Sequence, residues 1–260
     1  MPERLQTTAE SPNPKGIEFF GFNPRQKSLV REGVEDIGMP TDNIRSFTSK
    51  KPKKGEENIR GVYDPEAQDV GLFEPPEGEP PIAQQKTLVH EISHSNSPFN
   101  PRNEGIYGGQ REQAEARMHV ISIAKQSITT RKYLNGYQAY LHQLLERKEI
   151  DFVRFVEETH AIMVELRFTN PNHLMEIEKA QFDEIRRING RKPNAGIRPV
   201  AILTSDIDAK KGNLVGVDRT ISRLIPKLKT RKDIDNHVAS VRQKFLERGP
   251  IFSNQLRKAA

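Results

Sequence analysis

Residues 87–94 read TLVHEISH, and this stretch decides how the rest of the chain is interpreted. Two histidines, His90 and His94, stand four residues apart, and Glu91 directly follows the first of them. On a helix, this spacing places both imidazoles on one face and one turn apart, so both can bind the same metal ion. Glu91 lies one residue further round the helix, where its carboxylate can reach a water molecule on that ion without becoming a ligand.

The segments before the histidines predict a small sheet. Residues 61–73 read GVYDPEAQDVGLF, in which two short apolar pieces flank a turn-forming DPE sequence, so a β-hairpin is expected. Residues 16–22, GIEFFGF, predict a further strand, and residues 24–38 predict a helix that a glycine ends. The prolines of residues 74–81 exclude a helix or a central strand there. The helix that carries the histidines is expected over residues 82–95.

Most of the remaining chain has the apolar periodicity of helices. The predicted helices cover residues 110–128, 134–145, 150–168, 174–188 and 230–248, the last of them with a cap formed by Thr230 and Asp233. A strand is expected over residues 197–204, and Asp218 is expected to cap a short helix that Pro226 ends. The sequence therefore predicts an α+β fold, in which a small sheet and the helix with the histidines are followed by a mainly helical region.

The composition excludes several kinds of protein. The chain has 260 residues and no cysteine, which excludes disulfide frameworks, thiolate metal sites and cysteine nucleophiles. No apolar run approaches the roughly 18 residues of a membrane span, so no membrane partner is expected. Residues 1–15 are polar and predict a flexible tail without the apolar core of a signal peptide. A cytoplasmic location is expected, and export without a cleaved signal stays open.

Positive charge is concentrated in the last third of the chain. Residues 171–260 hold 19 basic and 10 acidic residues, whereas residues 1–170 hold 22 and 25. This difference favours a division into one domain over residues 16–170 and a basic, mainly helical accessory region over residues 171–260. The basic region is most simply a solvated helical surface. Binding of nucleic acid or another polyanion there is the alternative, and the oligomeric state stays open.

The hairpin segment followed by TLVHEISH resembles the zincin metallopeptidases, over residues 16–128. The resemblance implies a sheet whose edge strand lies above the active-site helix, and a mainly helical lower subdomain. It also implies a zinc ion held by His90 and His94, and hydrolysis of a peptide or protein by a zinc-bound water with Glu91 as general base. The alternative function is a zincin-fold binding or regulatory module that acts on nucleic acid or a protein partner through the basic C-terminal region.

A catalytic zinc site requires a third protein ligand, and two glutamates are the candidates. The metzincin pattern requires a histidine six residues after the second histidine, where this chain has Asn100, so that subgroup is excluded. The gluzincin pattern implies a glutamate on a following helix, which Glu112 and Glu115 supply, although neither fits the family's Glu-x-x-Ala segment. We expect Glu115 to be the ligand, because it lies one turn deeper in its helix, and Glu112 to orient a ligand. Glu157 and Glu158 are the next candidates.

Hydrolysis of a peptide also requires a donor that stabilises the negative oxygen of the transition state. Tyr107 lies in the glycine-rich loop between the two predicted ligand helices and is assigned this catalytic role. His119 and His160 are the alternatives. Packing inside the helices is the simpler interpretation of both histidines.

Overall fold

The computed structural model describes residues 16–54, 58–75, 81–129, 136–191 and 214–252. Within these ranges the protein is a mixed α+β fold, as the sequence predicts, in which a four-stranded sheet packs against a larger set of helices. The predicted tail over residues 1–15 and the predicted strand over residues 197–204 lie outside the described residues.

The sheet has four short strands in the order β1-β2-β4-β3. They are β1 (Glu18–Phe20), β2 (Ser46–Lys50), β3 (Gly61–Asp64) and β4 (Asp69–Phe73). β1 pairs with β2 and β2 pairs with β4 in parallel, whereas β3 and β4 form the predicted antiparallel hairpin. The sequence interpretation omits β2, because its alternation around the buried Phe47 is too short to stand out. β3 therefore lies at one edge of the sheet.

Nine α-helices are present among the described residues, besides one short 3-10 helix (Pro101–Asn103). They are α1 (Pro24–Ile37), α2 (Pro81–Ser95), α3 (Glu104–Tyr107), α4 (Gln110–Thr129), α5 (Gly136–Glu146), α6 (Phe152–Thr169), α7 (Pro171–Arg191), α8 (Gly216–Leu224) and α9 (Arg231–Arg248). The predicted cap of α9 is confirmed, because the Thr230 hydroxyl accepts the Asp233 backbone N–H and the Asp233 carboxylate accepts the Thr230 backbone N–H. In the described ranges, no helix has the length and apolar character needed to cross a membrane.

Asp218 does not cap α8, contrary to the prediction. Val215 occupies the cap position, and Asp218 lies inside the first turn with its side chain buried. Its Oδ1 accepts a hydrogen bond from Arg167 Nε at 2.7 Å, and Arg167 Nη2 donates to Asp235 at 2.5 Å. Because burial of an unpaired charge is costly, these two aspartates of α8 and α9 stabilise the arginine of α6.

α2 and α6 form the centre of the molecule. α2 buries Leu88 and Ile92, and α6 buries Phe155 in the same hydrophobic cluster. β3 and β4 pack on α2, while α4, α5, α7, α8 and α9 pack on α6. Ile234 and Phe245 of α9 belong to this cluster as well. The described helices of the predicted accessory region, residues 171–260, therefore share the core of the preceding region.

Glu178 of α7 is a carboxyl group in unfavourable surroundings. It lies against the start of α8, where a Cβ placed on Gly216 would be 2.6 Å from Glu178 Oε1. Burial is the main cause that raises the pKa of Glu178 to about 7, and the negative charge of Asp218 adds to it. The positive charges of Arg231 and Arg167 oppose the increase. Between about pH 4.5 and pH 7 the folded protein therefore keeps a proton that the unfolded chain releases, so its stability falls as the pH rises.

We expect the substitution Glu178→Gln to remove this part of the pH dependence. The neutral amide has no charge to desolvate. The free energy of unfolding of the variant, compared with that of the wild type, should therefore increase by about 2 to 3 kcal/mol from about pH 5 to about pH 8. The measurement is the free energy of unfolding in urea at several pH values. Glu176→Gln, which changes an exposed carboxylate of the same helix, is the control. Parallel pH profiles of wild type and Glu178→Gln would contradict the prediction.

Candidate metal centre

α2 presents its two histidines on the side that packs against α6. The Nε2 atoms of His90 and His94 are 3.1 Å apart. The two side chains are only 13% and 8% exposed. The sequence-predicted arrangement is therefore present, with two imidazole nitrogens close enough to share one ion.

Glu158 of α6 supplies a third donor atom. Its Oε2 lies 3.4 Å from His90 Nε2 and 3.6 Å from His94 Nε2. Atoms bound to one tetrahedral zinc ion at about 2.0–2.2 Å are separated from one another by about 3.3–3.5 Å. The three observed separations lie close to that value. Among the described residues, these three form the one group of His, Cys, Asp or Glu whose possible ligand atoms converge in this way.

Glu165 forms a hydrogen bond with Nδ1 of His90, the ring nitrogen that does not face His94. It lies two turns after Glu158 on α6, and its Oε2 is 3.0 Å from His90 Nδ1. Because this carboxylate accepts the Nδ1 proton, Nε2 is the nitrogen that remains to bind an ion. Lys86, one turn before His90 on α2, pairs with the other oxygen of Glu165 at 2.9 Å. The carboxylate is thus held on both sides, and it orients the imidazole ring.

We expect Glu165→Ala to weaken zinc binding by about 10- to 100-fold, because the ring of His90 loses its orienting partner while all three donor residues remain. Zinc affinity is measured by competition with a chromogenic chelator. Glu149→Ala removes an exposed carboxylate just before α6 and serves as the control. An affinity equal to that of the wild type would mean that other contacts orient the ring.

The charges of this cluster interact strongly. Burial lowers the pKa of His90, but hydrogen bonds with Glu158 and Glu165 outweigh burial and raise that pKa to about 10. Burial likewise raises the pKa of Glu158, but hydrogen bonds from His90 and His94 and the charge of Arg154 hold it well below its usual range. A divalent cation must displace protons from the imidazoles to bind here, so its affinity rises with pH.

Glu91 lies beside these donor atoms and beneath the edge strand. It is buried, and a Cβ placed on Gly61 of β3 would be 2.6 Å from both Glu91 Oε1 and Thr87 Cγ2. A glycine is therefore needed at position 61 for the strand to approach the carboxylate this closely. Burial raises the pKa of Glu91, and the charges of His94 and His90 oppose the increase.

A cleft of about 760 Å³ opens over the histidines. β3 and the segment before it form one wall, the first turns of α6 form the other, and the loop after α2 closes one end. Both walls expose apolar side chains, from Ile59 and Val62 on one side and Val153 on the other. The cleft therefore combines the polar side chains of α2 with apolar side chains on both walls, which is typical of ligand-binding sites.

The structure does not bring Glu112 or Glu115 to the histidines. Both are exposed, and Glu115 pairs with Arg111 at 3.5 Å and with Arg223 at 3.7 Å. The reason is the orientation of α4, which turns the face with Ala116 towards the core and leaves both glutamates outside. The third-ligand assignment therefore moves to Glu158, the second of the two reserve candidates on α6.

The three candidates for the oxyanion donor do not line the cleft. Tyr107 is buried, and its hydroxyl donates to the backbone carbonyl of Asn96 at 2.7 Å. His119 Nε2 lies 2.9 Å from the backbone carbonyl of Gly216. His160 is 2% exposed. Tyr107 and His119 thus bind backbone carbonyls of other segments, His160 is buried, and none of the three lines this cleft.

The sequence contains a signal for Glu158 that the prediction did not use. Residues 158–161 read ETHA, which matches the Glu-x-x-Ala segment implied by the gluzincin resemblance. Ile162 then stands where a polar residue is expected, and the segment begins 64 residues after His94. The prediction assumed that the ligand helix follows the histidine helix directly, whereas α3, α4 and α5 intervene.

Comparison of the chain with protein-family models, with curated proteins and with solved structures gives no match. The convergence of His90, His94 and Glu158 beside Glu91 is thus the feature from which a function can be inferred.

Proposed function

We propose that the protein is a zinc-dependent metallopeptidase of gluzincin type. In this proposal His90, His94 and Glu158 hold the zinc ion, and Glu91 is the general base. The observation that carries the proposal is the convergence of three donor atoms, 3.1 to 3.6 Å apart, in an open cleft that Glu91 also lines.

The donor set favours zinc over other divalent ions. Two imidazole nitrogens and one carboxylate oxygen form a ligand set used by catalytic zinc, whereas calcium and magnesium prefer sets made of oxygen atoms. Structural zinc prefers closed sites rich in cysteine, and this chain has no cysteine. When bound, zinc supplies a Lewis acid that polarises a carbonyl oxygen and makes a water molecule more acidic.

The edge strand β3, whose outer side pairs with no other strand in the described part of the chain, favours a peptide as substrate. The Phe73 N–H donates to the Arg60 carbonyl at 2.9 Å, so these two residues form a hydrogen-bonded pair of the hairpin. Because hydrogen-bonded and other pairs alternate along antiparallel strands, the backbone groups of Gly61 and Tyr63 point away from β4. An extended peptide can pair with this edge, and Gly61 lies against Glu91.

The protein's own side chains then have distinct roles. A carboxylate oxygen of Glu91 accepts a proton from the attacking water and later donates it to the nitrogen of the leaving amine. Burial raises the pKa of Glu91, which makes it a stronger base than an exposed carboxylate. Glu165 keeps the Nδ1 proton of His90 in place, so the ring does not turn during the reaction.

The test is hydrolysis by the zinc-loaded protein. The protein is incubated with a mixture of unfolded polypeptides, and newly formed amino termini are counted by mass spectrometry. We expect new termini with the zinc-loaded wild type, few after treatment with a chelator, and few with Glu91→Gln. If the zinc-loaded wild type produced no more new amino termini than Glu91→Gln, the proposal would be wrong.

The alternative function, a binding module that uses the basic C-terminal region, has less support. Several basic side chains of α8 and α9 are paired with acidic residues elsewhere in the fold. Arg223 pairs with Glu115, and Lys244 pairs with Asp36 at 2.7 Å. The charge available to a polyanion is therefore smaller than the composition alone suggests. The presence of a base carboxylate beside the donor atoms also favours an enzyme.

A further inference from the structure

The wall of the cleft formed by α6 carries an arginine. Arg154 is the single Lys or Arg among the described residues that line it, and the carboxylates of Glu91, Glu157 and Glu158 line it as well. Arg154 lies in the first turn of α6, where the Asp151 carboxylate accepts its backbone N–H at 2.7 Å. The side chain is 54% exposed, and it is one of the side chains that line the cleft.

An ion pair fixes the position of this guanidinium. Arg154 Nη2 lies 2.5 Å from Glu158 Oε1, while the other oxygen of Glu158 is the one that approaches the histidines. A guanidinium has five N–H donors in a rigid planar fork, and this contact uses only one of its nitrogens. Arg154 therefore lies in the cleft wall directly beside Glu158, and its remaining donors can serve a substrate in the cleft.

Hydrolysis of a peptide requires such a donor. When water attacks the carbonyl carbon, a new C–O bond forms, the carbonyl π electrons move to the oxygen, and Glu91 takes the water proton. The electron pair then returns, the C–N bond breaks, and the leaving nitrogen receives the proton. Between these steps the former carbonyl oxygen is negative, and fixed donors aimed at it accelerate the reaction.

We propose that Arg154 is the catalytic residue that stabilises this negative oxygen. The inference rests on the proposed function. Tyr107 and His119 contact backbone carbonyls of other segments and His160 is buried, whereas Arg154 combines charge, exposure in the cleft and an ion pair with Glu158. A merely structural role, in which Arg154 only orients Glu158, would affect zinc affinity and nothing else.

The test compares Arg154→Met with the wild type at saturating zinc. Three quantities are measured: zinc affinity, kcat and KM for a peptide from the hydrolysis screen, and binding of a phosphonamidate dipeptide by calorimetry. The phosphonamidate has a negative tetrahedral oxygen and reports on oxyanion binding without turnover. Arg111→Met is the matched control, because it removes an exposed arginine outside the cleft that, like Arg154, pairs with a glutamate four residues later on its own helix.

We expect kcat to fall by about 100-fold or more in Arg154→Met, with KM almost unchanged and phosphonamidate binding weakened by a similar factor. Arg154→Lys should recover part of both losses, and Arg111→Met should resemble the wild type. Full kcat and full phosphonamidate binding in Arg154→Met at saturating zinc would overturn this inference alone. A wild type that binds zinc and hydrolyses no peptide would overturn the proposed function, and this inference with it.

Discussion

Glu158→Gln should weaken zinc binding by at least about a hundredfold, more than the loss of a residue that only orients a ligand. The amide keeps the size of the side chain but is neutral, and the donor oxygen lies 3.4 and 3.6 Å from the Nε2 atoms of His90 and His94. The loss should therefore arise from the missing charge and not from altered packing. Zinc affinity is measured by chelator competition, and circular dichroism checks that the variant is folded.

Two matched variants make this prediction specific. Glu157→Gln changes the neighbouring carboxylate, which also lines the cleft but accepts a hydrogen bond from Ser97 at 2.6 Å. Glu115→Gln changes the ligand that the sequence interpretation favours. Both should keep zinc affinity within about threefold of the wild type, because neither carboxylate belongs to the converging group. A large loss in Glu115→Gln and none in Glu158→Gln would restore the assignment made from the sequence.

The histidine pair could be predicted because its geometry is local. A spacing of four residues on one helix determines that His90 and His94 share a face, whatever the rest of the chain does. The hairpin before it is similarly local, since its turn and its two strands are contiguous in sequence. The predicted roles of these segments therefore depend on few assumptions.

The third donor could not be derived in the same way. The position of Glu158 depends on how α6 packs against α2, and a contact across 64 residues is not encoded in any short spacing. Glu112 and Glu115 lie closer in sequence, but the apolar face of α4 is the one that turns inward. Proximity in sequence therefore does not predict the third donor, because packing decides which face of each helix turns towards the histidines.

Tyr107 illustrates a second limit of the sequence. Its place in a glycine-rich loop between the two predicted ligand helices makes it a candidate for stabilising the negative oxygen. In the structure the loop folds into the short helix α3, and the Tyr107 hydroxyl is used to satisfy a buried backbone carbonyl. A buried polar group of this kind needs a partner, so packing decides the role of the side chain. Arg154, in contrast, carries no motif that would have identified it.

Glu91→Gln should keep zinc and lose hydrolysis, by about three orders of magnitude or more. Glu91 is outside the converging group of donor atoms, so the neutral isostere should leave zinc affinity almost unchanged. The amide cannot accept the water proton, and its equal size fits the space beneath Gly61 without moving β3.

The measurement pairs zinc stoichiometry with kcat for one peptide, in the wild type and in Glu91→Gln purified in parallel. Glu157→Gln is the control for the loss of a cleft carboxylate, and it should retain most of the activity. If Glu91→Gln lost its zinc, Glu91 would be a ligand and the assignment of roles would be wrong. If it kept both zinc and full activity, the proton would have to leave through another group. Glu157 would then be the first to examine, because its carboxylate lines the same cleft one residue before the proposed ligand Glu158.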